Sequence, residues 1–472
     1  MNVLPKRSIL FITLSSYLLL NACADQIYQA KPLEPSQSAA KLNNKAITNT
    51  DFNAYLIKQG YEQSDLPFAQ WGLNELTYCA LFYQPNLALA KAQLALANAQ
   101  IQTAAQKQNP SLSGNIAHSN QANNDIRPWA FGLTVEIPIE TNNKRQIKME
   151  HAQYLADAAQ LDVAETAWQL RSQIAKDLLR YQQSVALADA LKNALNTQTN
   201  IVEIIQKRLN LGAVSNTELS LAKLQQQKMQ FALNVERAKL PEIRANLASD
   251  VGLSTEKFAA IQLAPLNIEN TLTKQQAFLK DADNLQQDAL LNRIDIRRSL
   301  ANYAAAEAKI KLEIAQQTPD ISLNPGYAFE FGDRIWSLGL STLFNLINKN
   351  QALIAEAIQL REIEGAQFVA LQAKIIGDLG QSLAVYTASN ENIIDLKSQQ
   401  NRQLQHNQLL QRQFDAGLID RLEITQNQLN NDLIAQQLLN AQFDNMQAAN
   451  AIENIMQKPI IDDKSHLIQS LK

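Results

Sequence analysis

The chain has 472 residues with a formal net charge of −3, and only 13 of them are glycine. A balanced charge excludes the basic surface typical of nucleic-acid binding, and the low glycine content indicates a mostly helical chain. The four histidines are isolated, without metal-site spacing, and no glycine-rich phosphate loop or nucleophile motif is present. We therefore predict no enzymatic activity, no cofactor, no metal site and no nucleic-acid partner.

Two basic residues and a mostly apolar run, residues 9–20, lead to Ala22 and Cys23 near the start of the chain. A charged start, a short apolar core and a small residue before a cleavage point are typical of a secretory signal peptide, here residues 1–22. The cysteine resembles that of a bacterial lipoprotein signal, which implies that Cys23 carries lipid, including palmitate, as the first mature residue. Ala24 after it implies sorting to the outer membrane. Ordinary signal cleavage beside an incidental cysteine is the alternative.

The next segment, residues 23–72, is polar and has no sustained period, so we predict a lipid anchor followed by a linker. A helix then runs from residue 73 to about 108, with a break at Pro85. Two strands follow at about 111–118 and 130–138, because apolar side chains alternate there with small or polar ones.

One stretch, residues 142–211, contains no glycine or proline over seventy residues (211 − 142 + 1). As a single helix it would be a rod of roughly 105 Å. Apolar side chains recur along it at three- and four-residue steps, which predicts a stripe that packs against another helix. Gly212 marks a turn, a return helix is predicted at about 216–250, and residues 253–286 are predicted to be an irregular linker.

The same order of elements then occurs again. Gly212 and Gly417 are 205 residues apart (417 − 212), and such a constant offset indicates a duplication. Repeat 1 spans residues 73–252, repeat 2 spans 287–458, and 459–472 form a tail. The predicted elements of repeat 2 include strands at about 321–331 and 335–343 and a rod at 348–416.

The four predicted strands carry apolar residues at alternate positions. Four strands cannot close a wall, and open strand edges are not tolerated in lipid, so several chains must share one closed sheet. Two chains would give eight strands and three would give twelve; the pattern itself leaves this open. A soluble hairpin packed on the helices is the alternative. The predicted lipid-facing residues are Phe131, Leu133, Val135, Tyr327, Phe329, Trp336 and Leu338.

Residues at the joints between these elements carry a family resemblance. They are Gln84-Pro85-Asn86-Leu87, Arg293-Ile294-Asp295-Ile296-Arg297, Gly212 with Glu218-Leu219, and Gly417 with Glu423-Ile424. With the repeated order of helix, strand pair, long helix, glycine turn and return helix, the chain resembles the TolC family of outer-membrane efflux channels over nearly all of its mature length. Ile294 stands where that family usually has proline.

A closer resemblance within the family is to the outer-membrane subunits of cobalt–zinc–cadmium type cation efflux systems. It rests on Lys144-Arg145 after the first strand pair and on residues 344–351 and 354–357 after the second. Asn142-Asn143 stand where that group usually has two glycines.

The resemblance implies a mainly α fold with a small β part, in which TolC-like long helical hairpins form two tandem repeats. It implies a homotrimer whose four strands per chain contribute to a 12-stranded transmembrane β-barrel in outer-membrane lipid, with helices extending into the periplasm. The implied partners are a periplasmic adaptor (membrane fusion) protein and an inner-membrane proton-driven pump. The protein would be a passive duct anchored by lipid in the outer membrane.

Two sets of site residues are implied at the far ends of the rods. Glu218 and Glu423 align with a family position where acidic residues ring the periplasmic aperture; the alternative is a solvated first-turn glutamate favoured by the helix dipole. The residues predicted to contact the adaptor are Arg208, Leu209, Gly212, Val214, Phe414, Gly417 and Leu418. The alternative for the two glycines is that they are only helix C-caps.

Three functions remain open from the sequence. The first is an outer-membrane efflux duct, with heavy-metal cations as the candidate substrate. The second is a multidrug or type I secretion duct of the same fold, which would differ in its pump and adaptor. The third is a structural periplasmic coiled-coil lipoprotein that forms no pore.

Overall fold

A computed structural model of the chain describes residues 28–120, 127–279, 282–330, 332–343 and 348–460. The predicted signal peptide, the lipidation site Cys23, Phe331, residues 344–347 and nearly all of the predicted tail lie outside the described residues. The chain divides into two compact units, Met1–Asn44 and Lys45–Lys472, each described by itself.

The described part of the first unit contains one helix, α1 (Pro35–Asn43), which begins with proline at its first turn and buries none of its residues. The second unit begins with α2 (Thr50–Lys58) and a 3₁₀ turn, Gln63–Asp65. Phe52 and Leu56 of α2 are fully buried. Helices α1 and α2 thus lie in the segment predicted as a lipid anchor and linker, residues 23–72. Helix α2 was missed because its apolar residues Phe52, Tyr55 and Leu56 cover little more than one turn, which is too short to establish a period.

Repeat 1 has the predicted order of elements. They are α3 (Leu73–Tyr83), α4 (Pro85–Ala105), β1 (Ser111–His118), β2 (Trp129–Ile139), α5 (Lys144–Asn210) and α6 (Asn216–Val251). The break at Pro85 is confirmed, because this proline occupies the first turn of α4, where its missing N–H costs the helix no hydrogen bond. The 67 residues of α5 make a rod of about 100 Å.

The segment between the repeats is helical rather than irregular. It contains α7 (Thr255–Ala259), α8 (Ile268–Leu279) and the first five residues of α9 (Ala282–Asn292). Phe258 of α7 and both Leu272 and Leu279 of α8 are buried, so this segment packs onto the rest of the unit. The expectation of an irregular linker at 253–286 is therefore wrong; each of these helices is short, and its apolar residues are too widely spaced to form a clear stripe.

Repeat 2 has the same order as repeat 1. Its elements are α9, which begins five residues before the predicted start of the repeat and corresponds to α3, then α10 (Ile294–Ala315), β3 (Ile321–Glu330), β4 (Asp333–Thr342), α11 (Gln351–Asp415) and α12 (Arg421–Met456). The return helices α6 and α12 are each 36 residues long. The duplication inferred from the sequence is thus visible element by element.

The helices of the second unit form an ordered layer around α5. In the part towards the glycine turns, α5 packs against α6 on one side and α12 on the other, and α12 packs against α11. In the part towards the strands, α5 packs against α4 and α10, and α10 packs against α11. Among the described residues, α6 and α11 have no extensive contact with each other, so the layer is open at both ends.

The four strands form one antiparallel sheet in the order β1-β2-β3-β4. The pairing of β2 with β3 joins the two repeats. Beneath the sheet, Nζ of the buried Lys144 lies 2.7 Å from Oδ1 of Asp320 and donates to the Thr318 carbonyl at 2.6 Å. These contacts fix the start of α5 against the start of β3.

The largest apolar cluster surrounds the junction of α2, α3, α5 and α6. Gly252 is required there, because its φ is +75° and an added Cβ would lie 2.9 Å from the carbonyl oxygen of Tyr83. Nζ of Lys45 donates to the same Tyr83 carbonyl at 2.5 Å and to the Gly252 carbonyl at 3.3 Å. Burial raises the pKa of the neighbouring Cys79 thiol, so this cysteine is a core residue.

Candidate functional site

One face of the sheet is apolar and exposed. Across its central strands Phe131 lies opposite Phe329 and Leu133 lies opposite Tyr327, which in turn lies opposite Trp336. Paired residues of antiparallel strands point to the same face, so the register places all seven predicted lipid-facing residues on one side. Leu112, Ile116, Leu323 and Leu340 share that face by the same register.

Aromatic contacts tie the strands of this apolar face together. The rings of Phe131 and Phe329 are stacked with centroids 5.3 Å apart, and those of Tyr327 and Trp336 lie 4.7 Å apart. Such pairs stabilise neighbouring strands beyond the area they bury. Trp336 is nevertheless 80% exposed. Its large apolar surface lacks a covering partner within the described chain.

The opposite face carries small and polar side chains, with Ile335 as an apolar exception. An added Cβ on Gly132 would lie 2.4 Å from Oδ1 of Asn115, and one on Gly326 would lie 2.7 Å from Oγ of Ser337. Glycine inside a strand typically marks a bend or a close approach. The polar face is therefore the more crowded side, as on the concave side of a curved sheet.

The sheet ends in two open edges. Strand β1 pairs only with β2, and β4 pairs only with β3, within the part of the chain that the structure describes. The outer backbone N–H and C=O groups of both strands are available to another strand, and soluble proteins normally protect such edges.

The far ends of the two rods are closed by identical backbone turns, which we call the tips. Gly212 and Gly417 have φ values of +73° and +72°. The N–H of Ala213 donates to the Arg208 carbonyl at 2.9 Å, and that of Leu418 donates to the Gln413 carbonyl at 2.8 Å. These are Schellman caps, in which a left-handed glycine ends the helix. The C-cap interpretation of both glycines is thus confirmed.

The predicted aperture residues occupy equivalent positions in the first turns of the return helices. Glu218 and Ser215 form a capping box. The Glu218 side chain faces the N–H of Ser215, and the N–H of Glu218 donates to the Ser215 hydroxyl at 3.2 Å. Glu423 donates its N–H to the N-capping carboxylate of Asp420 at 3.1 Å. Both glutamates are exposed, so a local capping contact and a wider role for the charge are compatible.

An ion pair joins the two tips. Nη2 of Arg208 lies 2.5 Å from Oδ2 of Asp420, so the predicted adaptor residue contacts the cap of the other return helix. The Arg208 guanidinium holds the pKa of the Asp420 carboxyl below its usual range. Sequence reasoning missed Asp420, although an aspartate three residues before Glu423 has the spacing of a helix N-cap.

The other predicted adaptor residues divide into two groups. Leu209 and Val214 are half-buried in a cluster that includes Leu422 of the second return helix. Phe414 is also half-buried. The two glycines and Leu418 are exposed, as is Leu211, which was not predicted.

The described residues contain no cluster of three or more histidine, cysteine, aspartate or glutamate side chains arranged to hold a metal ion. None of the described helices combines the length and the apolar character needed to cross a membrane.

The paired rods, the glycine-capped tips and the shared four-stranded sheet define the fold of TolC-like outer-membrane channels. Residues 76–252 match the family of outer membrane efflux proteins. Among solved structures, the chain is similar to the outer-membrane channel OprN, with 17% identity, a TM-score of 0.65, and coverage of 91% of this chain and 99% of OprN.

Two further solved structures have the same fold. The outer membrane protein VceC from Vibrio cholerae is 17% identical with a TM-score of 0.63, and the match covers 82% of this chain and 96% of VceC. CusC, a transmembrane channel, is 16% identical with a TM-score of 0.63, and the match covers 92% of this chain and 100% of CusC. No curated protein sequence matches the chain.

Proposed function

We propose that this protein is the outer-membrane duct of a tripartite efflux system, formed by three copies of the chain. One observation carries the proposal: the sheet and the helical layer both have two open edges. The sheet runs from β1 of repeat 1 to β4 of repeat 2, and the layer runs from α6 of repeat 1 to α11 of repeat 2. Copies arranged head to tail would pair β4 of one with β1 of the next. Such a heterologous contact closes into a ring when the rotation permits.

The helices at the open edges support the same assembly. Leu221 and Phe231 of α6 are exposed, as are Ile394 and Leu404 of α11. Each pair lies on an edge helix within the part of the layer towards the tips. Packing of α6 against α11 of the next copy would remove both apolar surfaces from water.

Three copies would contribute twelve strands (3 × 4) to one wall. The strands β2, β3 and β4 have 11, 10 and 10 residues, which suits the roughly 9–11 residues of a tilted membrane-spanning strand. The apolar face would meet lipid, and the crowded polar face would line the lumen.

The tips would then be the periplasmic end of the duct. Leu211 and Leu418 present apolar surface there for an adaptor protein, together with the predicted residues around Gly212 and Gly417. Three copies would bring six carboxylates, from Glu218 and Glu423, towards one opening, where they would attract cations. An inner-membrane proton-driven pump would supply the energy, and the duct itself would perform no chemistry.

Heavy-metal cations are the proposed cargo, on the strength of the sequence resemblance at Lys144-Arg145 to cation efflux subunits. We further propose that Cys23 carries a lipid anchor. A deletion strain that becomes sensitive to zinc, cadmium or copper but not to dyes would support a metal cargo, and the reverse pattern would favour a multidrug duct. Loss of labelled palmitate in Cys23→Ser would support the anchor.

The duct itself is tested with two neighbouring residues on opposite faces of β2. Leu133→Arg should abolish membrane insertion and planar-bilayer conductance, because a cation at the lipid-facing midplane costs about 2–4 kcal/mol in each copy. Thr134→Arg, on the polar face, should insert and alter only the conductance. A wild-type protein that is monomeric by native mass spectrometry and opens no pore would refute the proposal and favour a structural lipoprotein.

A further inference from the structure

The duplication allows a contact between neighbouring copies to be compared with a contact inside one chain. Within the chain, α12, the return helix of repeat 2, packs against α5, the rod of repeat 1. In the proposed ring, α6, the return helix of repeat 1, packs against α11, the rod of repeat 2 in the next copy. The two contacts join equivalent elements, each displaced by 205 residues (417 − 212). The internal contact is therefore a template for the seam between copies.

This template has a regular antiparallel register. Nε2 of Gln447 on α12 donates to Oε1 of Gln183 on α5 at 2.8 Å, and the Thr197 hydroxyl donates to Oδ2 of Asp432 at 2.6 Å. From the first pair to the second, α5 advances by 14 residues (197 − 183) and α12 goes back by 15 (447 − 432). Each level on one helix therefore corresponds to a level on the other.

The template is uncharged at one level between these two pairs. Ala186 of α5, three residues after Gln183 (186 − 183), packs against an apolar cluster that includes Phe443 of α12. Gln442 precedes Phe443 and is half-buried. At this level the internal contact thus has an alanine on the rod and a glutamine on the return helix.

The two open edges carry opposite charges at the equivalent positions. Arg237 of α6 is 205 residues before Gln442 (442 − 237), and Glu391 of α11 is 205 residues after Ala186 (391 − 186). Both are exposed, and neither forms an ion pair within the described chain. Asp395, one turn further along α11, is also exposed and adds negative charge. Complementary charge on two facing surfaces is typical of a specific interface.

We propose that Arg237 of one copy forms an ion pair with Glu391 of the neighbouring copy, at the seam between α6 and α11. The pair rests on the proposed ring and names the partner of each open edge. A contact between two α6 edges lacks this counter-charge, so the pair favours a head-to-tail ring over an isologous dimer.

The first test is cross-linking of the full-length protein in detergent by a short bifunctional thiol reagent. Arg237→Cys combined with Glu391→Cys should give a covalent trimer on a denaturing gel. Neither single variant should, because one edge then lacks a thiol; these variants also control for the native cysteines. Arg237→Cys combined with Arg402→Cys is the matched control. Arg402 lies 11 residues beyond Glu391 (402 − 391), or about 16 Å along α11, so this variant should not cross-link.

The second test reverses the charges, and trimer formation is measured by native mass spectrometry. Arg237→Glu should weaken trimer association by about fivefold at low salt, the upper limit for one exposed ion pair. Adding Glu391→Arg should restore association, because the pair then exists with its charges exchanged. High salt should reduce the difference between the variants, since exposed charges are screened.

Two results would overturn the ion pair while leaving the duct intact. In a wild-type protein that is trimeric and conducts, they are cross-linking of the offset control but not of the 237–391 pair, and failure of Glu391→Arg to restore the association lost in Arg237→Glu. A wild-type protein that is monomeric and opens no pore would refute the ring and the ion pair together. The state of the unaltered protein thus separates the two failures.

Discussion

Among the described residues, the ion pair between Arg171 and Glu453 is the most deeply buried charge contact between the two repeats. The two side chains are 3% and 9% exposed, and they join the middle of α5 to the end of α12. The Arg171 guanidinium also lies over the ring of Trp168, 5.2 Å from its centroid. Glu453→Gln would keep the shape of the side chain while removing the charge with which Arg171 pairs.

We expect this single change to destabilise the protein by about 3 kcal/mol, the lower end of the 3–5 kcal/mol typical when one partner of a buried pair is removed. The lower end applies because glutamine can still accept a hydrogen bond. Solvent screening does not reduce the effect, since both groups are buried. Asp378→Asn is the matched control: Asp378 and Lys374 are 44% and 72% exposed at 3.1 Å, and such pairs contribute less than about 1 kcal/mol.

The measurement is urea unfolding of the detergent-solubilised protein, followed by circular dichroism. Arg171→Met combined with Glu453→Gln should recover part of the loss, because both charges of the buried pair are then removed together. The reasoning is wrong if Glu453→Gln and the exposed control lower stability equally, or if the double variant loses the sum of the two single changes.

Three further predictions concern single residues. Burial and an adjacent carboxyl raise the pKa of Asp250 to about 7. The folded protein therefore binds this proton more tightly than the unfolded chain does, so stability should fall as pH rises from 4 to 7. Asp250→Asn should remove this fall when melting temperatures are measured across that pH range. Asp420→Ala should lower the melting temperature more than Ser215→Ala. Each change removes an N-cap worth about 1 kcal/mol, but only Asp420 also pairs with an arginine. Equal shifts would show that the ion pair contributes nothing. Gly252→Ala should destabilise the protein, because the backbone φ is positive there and the added Cβ would lie 2.9 Å from a carbonyl oxygen. In Gly377→Ala the added Cβ meets nothing within 4 Å, so this change should stabilise the protein by up to about 1 kcal/mol. Chemical denaturation midpoints that move in the same direction in the two variants would contradict this prediction.

Long regular elements were predictable from the sequence because their signals repeat many times. The rod α5 carries one apolar stripe over many turns, and the glycines at 212 and 417 mark the ends of α5 and α11 at a fixed offset. The strand alternation was equally informative, since one register assigns every residue of β2 and β3 to a face.

Short elements and long-range contacts could not be predicted in the same way. Helix α2 contributes only Phe52 and Leu56 to the core, and its burial depends on a cluster assembled from distant parts of the chain. Arg171 and Glu453 are 282 residues apart, and no local pattern connects them. The tip residue Asp420 carried a recognisable capping pattern, but its ion pair with Arg208 depends on how the two hairpins pack.

The pairing of β2 with β3 also constrains the order in which the molecule can form. Phe131 lies opposite Phe329, 198 residues later in the chain (329 − 131). Contacts between such distant residues form slowly, because a long loop must close before they stabilise anything. The first hairpin therefore leaves the ribosome with the outer edge of β2 unpaired, and that edge stays unpaired until the second half of the polypeptide has been made. A nascent chain halted between the repeats would expose that strand edge to pairing with other chains.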